Sequence, residues 1–342
     1  MPSTRPPGVA MLHQERFHRR WPTLRDPHVR TLAWLLDAPD LLAIDAPCWD
    51  GRVATLGPPA PEVVAWLDAL QQPAALAGLH DELQRHPTAR LGRYAEQLLG
   101  FYLHWRQQLV AANLQVRDDG PSRVTIGEFD FLVRRPDVNA GHGLEHWEFA
   151  TKFYLLQHDP AQDGTGADAF VGPNLADSLG RKMRKIMTRQ LLLSQHRAAA
   201  LVLPEPVTSA QALVRGWLFY AQPMRLPAVL GIAEDHCRGF WADADGWQSR
   251  YASSPELMFV PLRRLEWLAP ARVPMARAIS LAALLEELAG IEEPVLVAVC
   301  RAPQADDQGD AVEIERGFAV PQDWQRRAGE QVRQAVVSTG SR

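Results

Sequence analysis

An α/β fold, with a mixed β-sheet flanked by helices, is the class this sequence predicts, and three observations carry it. Residues 123–135 and 144–155 alternate apolar and polar side chains with the period of a strand. Segments of helical period, Leu91–Leu109 and Asn174–Gln195, bracket them. The composition, 46% hydrophobic and 22% charged over 342 residues, is that of a chain able to bury a sizeable core. The core is expected over 88–222, with a helical N-terminal region over 1–87 and an α+β region over 223–342.

The elements follow in order. Residues 1–20, rich in Pro, Arg and His, read as a mobile arm leading into a helix near Pro27–Leu36. Pro58-Pro59-Ala60-Pro61 marks a turn, and Glu62–Gln72 reads as an amphipathic helix stopped by Pro73. Leu91, Tyr94, Ala95, Leu98, Leu99, Tyr102 and Leu103 make one apolar stripe of a long helix. Leu114–Val116 predicts a short strand, closed by the turn signal Asp118-Asp119-Gly120-Pro121. In the next strand Phe129, Phe131 and Val133 should share one face, with Glu128 and Asp130 on the other. After a loop at 136–143, Trp147, Phe149 and Phe153 take one face of the third strand; His146, Glu148, Ala150 and Lys152 take the opposite one. Residues 157–173 read as a loop and Asn174 as the N-cap of the following helix. Ala198–Leu203 and Gln211–Tyr220 are apolar enough for central strands, giving an αβββαββ order. Beyond 225, strands are expected at Leu257–Pro261 and Val295–Cys300, a helix at Leu281–Ala289, and a polar C-terminal tail.

Charge and cysteine usage narrow the function. A net charge of −4 excludes a polycation, so any nucleic-acid contact needs a local basic patch. Cys48, Cys237 and Cys300 are odd in number and lack zinc-site spacing, which predicts free thiols in a reducing compartment. Residues 1–27 hold no apolar h-region and no later run reaches membrane length. A cytoplasmic protein without a membrane partner is expected; the sequence is silent on oligomeric state.

The chain carries thirty-three arginines and only three lysines, Lys152, Lys182 and Lys185. Lysine offers a compact charge with three donors and a movable pKa that guanidinium lacks. Lys152 closes Glu148-Phe149-Ala150-Thr151-Lys152, and Gly127-Glu128-Phe129-Asp130-Phe131 lies upstream. An acid on one strand with an acid and a lysine on the next suits metal-assisted phosphodiester chemistry. Arg181, Lys185 and Arg189 recur at i, i+4, i+8 with Lys182 beside them, a cationic helix stripe able to track phosphates.

On those residues, 88–222 resembles the PD-(D/E)XK nuclease-like superfamily, and more narrowly an uncharacterised bacterial domain-of-unknown-function branch of it. The resemblance implies a restriction-endonuclease-like core and Mg²⁺, with Mn²⁺ as substitute, held by carboxylates. It places Asp130 as the strand-two metal ligand and Lys152 as the strand-three lysine. Glu96 would be the helix acid, and Gln190 the polar residue of the following helix. One departure stands out: the acid expected two residues before the lysine is Ala150. Glu148 shares that face but lies four residues from Lys152, roughly 13 Å along an ideal strand; Glu128 or Glu96 are alternative ligands. A metal-dependent nuclease acting on DNA or RNA is therefore the leading expectation. A degenerate module on the same fold, binding nucleic acid or a protein, is its rival. A lysine-based carbonyl enzyme using Lys152 is a weaker third.

Overall fold

The computed structural model describes residues 13–118, 124–134, 143–157, 166–221, 231–301 and 309–339. The N-terminal region is helical: α1 (His13–Arg20), α2 (Pro27–Asp37), α3 (Pro61–Ala69), α4 (Pro73–Arg85) and α5 (Leu91–Trp105). Asp26 starts α2, its carboxylate accepting from His28 N at 2.9 Å and Val29 N at 3.1 Å, with Pro27 at a position whose N–H has no helical partner to lose. Pro73 does not stop a helix but opens α4, for the same reason. The arm expected over 1–20 is ordered from His13: Gln14 and Phe17 are buried, and Trp34 Nε1 donates to His13 Nε2 at 3.1 Å. Residues 1–12 lie outside the described residues. Helix α5 ends four residues short of expectation, because Gln107 takes a left-handed φ of 55° and turns the chain into a strand that begins at Leu109.

That strand is β1 (Leu109–Arg117), followed by β2 (Thr125–Val133) and β3 (Leu144–Leu156) in an antiparallel meander. The short β4 (Phe170–Val171) and α6 (Leu179–Lys185) precede β5 (Val207–Ala221), which returns parallel to β3. Ser178 caps α6 by accepting from Arg181 N at 3.2 Å, so Asn174 is not the cap. A π-turn, Ile186–Gln190, continues the helix. The strand expected at Ala198–Leu203 is instead a 3₁₀ helix, Arg197–Leu201: its alanine run has neither β-branched nor aromatic residues to favour a strand. The central order is accordingly αβββαβ.

The sheet continues through β6 (Cys237–Ala242), α7 (Ala244–Tyr251), β7 (Leu257–Pro261), β8 (Arg272–Pro274), α8 (Leu281–Leu288), β9 (Val295–Arg301), β10 (Asp310–Ala319) and α9 (Trp324–Thr339). Its order is β1-β2-β3-β5-β6-β10-β9-β7, with β4 on β3 and β8 on β10. A mixed sheet flanked by helices is thus the architecture, and the sheet passes without a break from residue 221 into the C-terminal region. The expected polar tail is the helix α9, anchored where Trp324 Nε1 donates to Pro173 O at 2.7 Å and Ala328 and Val332 are buried. Its apolar positions, four apart, are hidden among Arg, Gln and Glu.

Strand β3 divides the central interior. Trp147, Phe149, Phe153 and Leu155 join Phe131, Leu98 and Trp34 in the main core under α2 and α5. Ala150, Tyr154 and Leu156 face Leu179, Met183, Ile186 and Met187 of α6 and its π-turn. Helix–sheet–helix layering of this kind buries both faces of a strand. At Gly216 of β5 a Cβ would meet Lys152 O at 2.0 Å, so only glycine lets the two strands run this close. Among the described residues no helix is long and apolar enough to cross a membrane. All three cysteines are free.

Candidate functional site

Strands β2 and β3 pair only from Phe131↔Trp147 to Val133↔Glu145. The next residues in that register, Asp130 and Glu148, face each other where the ladder has ended. Instead of a backbone carbonyl, Asp130 Oδ2 accepts from Phe149 N at 3.0 Å. On the other side of β2, Asn113 of β1 lies opposite Asp130 and takes a left-handed φ of 53° within a strand whose register with β2 is unbroken there. The alternation of β2 breaks at the same place. Phe131 and Val133 enter the main core, but Phe129 packs with Leu132, Val116 and Leu144. The expectation that Phe129, Phe131 and Val133 share one face fails for this reason. Phe129 instead stands edge-on to the His146 ring, with centroids 4.7 Å apart.

Glu148 is buried, and both of its oxygens are engaged. His146 Nε2 donates to Oε1 at 2.9 Å, and Gln190 Nε2 donates to Oε2. With Glu148 ionised the contact puts the ring proton on Nε2, since a carboxylate accepts only; His146 Nδ1 is buried and meets no partner. Burial holds His146 neutral, lowering its pKa to about 4. In an unbroken α-helix residues eight apart differ by about 80° in azimuth. The π-turn takes up that angle, and Lys182 Nζ donates to Gln190 Oε1 at 3.2 Å. Lys182, Gln190, Glu148 and His146 thus form one hydrogen-bonded chain. Gln190, set in an otherwise apolar helix face, finds both its partners there.

The carboxyls crowd one another. Burial, then the Glu148 charge, pushes Asp130 up to about 7. Burial pushes Glu148 up to about 7 as well, against the pull of Lys182 and the contact with Asp130. Glu96 on α5 also rises to about 7, through burial and then Asp130. Two such carboxyls titrate as a pair that retains a proton near neutrality. Arg93, one turn before Glu96, clamps the outer acids: it donates to Glu96 Oε2 and to Glu128 Oε1, both at 2.8 Å, and to Asn113.

The residues singled out from sequence therefore fall into three groups. Asp130, Glu148 and Gln190 come together, with Lys182 completing the set. Glu96 and Glu128 border them but are held by Arg93. Lys152 stands apart from the acids: it makes no hydrogen bond or ion pair among the described residues. Burial, then repulsion from Lys182, lowers it to about 8. Of the cationic stripe, Arg181, Lys185 and Arg189 are exposed on the helix, while Lys182 turns inward. Arg93, His146 and Asn113 were not anticipated. Arg93 is three residues from Glu96 on a helix and His146 two from Glu148 on a strand, so spacing alone marks both as neighbours of an acid.

Among the described residues, no three His, Cys, Asp or Glu side chains converge as a metal cage. Magnesium does not require one: it is commonly held by one or two carboxylates and keeps several waters. Two hard-oxygen carboxyls forced together, sharing a proton near pH 7, are a site in which a divalent cation would replace that proton. The pair fits a hydrated Mg²⁺ or Mn²⁺ and does not fit a closed zinc site.

No curated protein and no solved structure matched the chain. Residues 30–320 match a family described as Domain of unknown function (DUF1853). That span runs from the second turn of α2 to the end of β10 and includes every residue of the acidic cluster. The chain belongs to this family.

Proposed function

We propose that this protein is a metal-dependent phosphodiesterase acting on nucleic acid, with the Asp130–Glu148 pair as its Mg²⁺ or Mn²⁺ site. One observation carries the reading: the buried carboxyl of Glu148 and the half-buried carboxyl of Asp130 meet where β2 and β3 part, with Lys182 joined to Glu148 through Gln190. The helix, three antiparallel strands, helix, parallel strand order keeps all but one strand of the αβββαββ order on which the PD-(D/E)XK resemblance rests. When bound, the cation supplies Lewis-acid polarisation of a phosphoryl oxygen and a more acidic water.

The chain's own residues do the positioning. Asp130 is oriented by Phe149 N and Glu148 by His146 and Gln190, so neither carboxylate has to reorganise during reaction. Lys182 stands beside both acids and stabilises negative charge that develops on the phosphoryl group. Lys152, farther along the same face of β3, meets a neighbouring phosphate. Arg181, Lys185 and Arg189 extend the cationic track along the helix.

The test is cleavage of end-labelled single- and double-stranded DNA and RNA with Mg²⁺, Mn²⁺ or EDTA. Cleavage should require the metal and fall by about 100-fold or more in Asp130→Asn and in Lys182→Ala. A wild type that cleaves none of these substrates with either metal rejects catalysis. A second reading, a binding module without chemistry, is favoured by Ala150 and by the full engagement of both Glu148 oxygens. It predicts salt-sensitive binding, weakened in Lys185→Glu/Arg189→Glu, with no cleavage.

A further inference from the structure

A cavity of about 940 Å³ opens between the first turns of α2, Tyr94 of α5 and the segment 262–277. Six arginines line it, against two acids, Glu266 and Asp310. Both acids are already taken. Arg277 binds Glu266 through two hydrogen bonds of 2.7 and 2.8 Å, and Arg272 Nε donates to Asp310 Oδ2 at 3.1 Å. The guanidinium groups of Arg25, Arg30, Arg263 and Arg264 have no carboxylate hydrogen-bonded to them among the described residues; Arg263 meets Glu266 only through its backbone N–H, at 2.9 Å.

Arg30 forms the floor. It is 3% exposed, and it donates to Leu24 O at 3.2 Å and Pro270 O at 2.8 Å, which fixes the fork without neutralising it. Burial, then the Arg272 charge, lowers its pKa to about 10, against the pull of Glu313 and Asp310. Arg25, Arg263 and Arg264 are exposed and stand at the mouth; Arg264 is held flat over the Trp267 ring at 4.0 Å. Leu262, Leu265, Pro270 and Val273 supply apolar wall between these charges.

We propose that this cavity binds a nucleoside diphosphate or a small organic anion of like chemistry, its phosphates on Arg30 and the rim arginines and its uncharged body on the apolar wall. Planar guanidinium forks pair with phosphate oxygens two bonds at a time. Four guanidinium groups without a hydrogen-bonded carboxylate around one cavity call for several negative charges on one compact group. A nucleic-acid strand carries them one per nucleotide. The volume is that of a single small-molecule site. This site shares no residue with the Asp130–Glu148 pair and does not depend on the reading of that pair.

Calorimetric titration of the intact protein in EDTA tests it, with ADP, pyrophosphate and adenosine as probes. ADP should bind one to one and pyrophosphate more weakly, with no heat from adenosine. Arg25→Ala and Arg264→Ala change exposed residues, so an unaltered melting temperature certifies the fold; each should weaken ADP about 10-fold, the loss of one charge-assisted hydrogen bond. Asp130→Asn should leave the affinity unchanged. The proposal is overturned if ADP and pyrophosphate fail to bind at millimolar concentration, or if the Arg25→Ala/Arg264→Ala double variant binds ADP as the wild type does. It is equally overturned if a 5′-phosphorylated oligonucleotide displaces ADP at lower concentration through the same arginines, which would make the cavity part of a nucleic-acid path.

Discussion

Asp130 holds its proton to about 7 because burial and the facing Glu148 both disfavour its charge. In an unfolded chain an aspartate ionises near about 3.9. Between those values the folded state binds more protons than the unfolded one, so this residue's contribution to stability declines as pH rises from 4 to 7. Asp130→Asn keeps an oxygen for Phe149 N and removes the charge. It should raise stability by on the order of 1 kcal/mol at pH 8 and change it little at pH 4, read as a difference in melting temperature between the two pH values. Millimolar Mg²⁺ at pH 8 should raise the melting temperature of the wild type and leave Asp130→Asn unmoved. A wild type indifferent to Mg²⁺ and Mn²⁺ at pH 8 would argue against the cation site without reference to any substrate.

At the scale of elements, the parting of β2 from β3 is what makes room for the acids, and Asn113 lies at the matching point of β1. A β-strand residue with φ of 53° is one that glycine and asparagine adopt most readily. Asn113→Gly should therefore be tolerated to within about 0.5 kcal/mol, the exposed contact to Arg93 being worth little. Asn113→Val, good for an ordinary strand, should cost about 1–2 kcal/mol here. Urea denaturation of the two variants side by side decides this: equal stability would mean that β1 straightens without penalty. The π-turn has a comparable part on α6, because it brings Gln190 back over Lys182. Single-turn π segments inside α-helices are frequent at functional sites.

For the whole molecule, Glu313 and Arg316 of β10 are both fully buried and tie distant parts of the chain together. Glu313 accepts from Gln14 Nε2 of α1 at 3.3 Å and from Ala271 N at 2.6 Å, and it pairs with Arg316 at 2.6 and 2.8 Å. Arg316 donates in turn to Trp267 O and Ala269 O, and lies over the Trp217 ring of β5 at 4.1 Å. N-terminal helix, central strand and C-terminal region thus meet at one ion pair. Glu313→Ala leaves a buried guanidinium uncompensated and should cost about 3–5 kcal/mol, measured as a lower urea midpoint. A shift under about 1 kcal/mol would mean that water reaches Arg316 and that the pair is not what fastens α1.

That Gln190 joins Asp130 and Glu148 was implied only by the PD-(D/E)XK resemblance. The sequence by itself determined which side of β3 each residue takes, the helix α5 before the meander and α6 after it. Those features follow from local periodicity, since successive side chains of a strand point to opposite faces whatever surrounds them. Local pattern could not register the loss of alternation at Asp130 that sends Phe129 away from Phe131, nor the 3₁₀ turn in the alanine run after His196. It also read Pro73 as an end and α9 as a tail, because the buried partners of Trp324 lie far off in the chain. Which lysine meets the acids was decided only by tertiary structure. Lys152 is near Glu148 in sequence yet four residues along a strand, whereas Lys182 reaches Glu148 through Gln190 from a helix packed across the same face. A strand carries its side chains apart at a fixed rise per residue, and only packing of a second element brings a distant charge back to them.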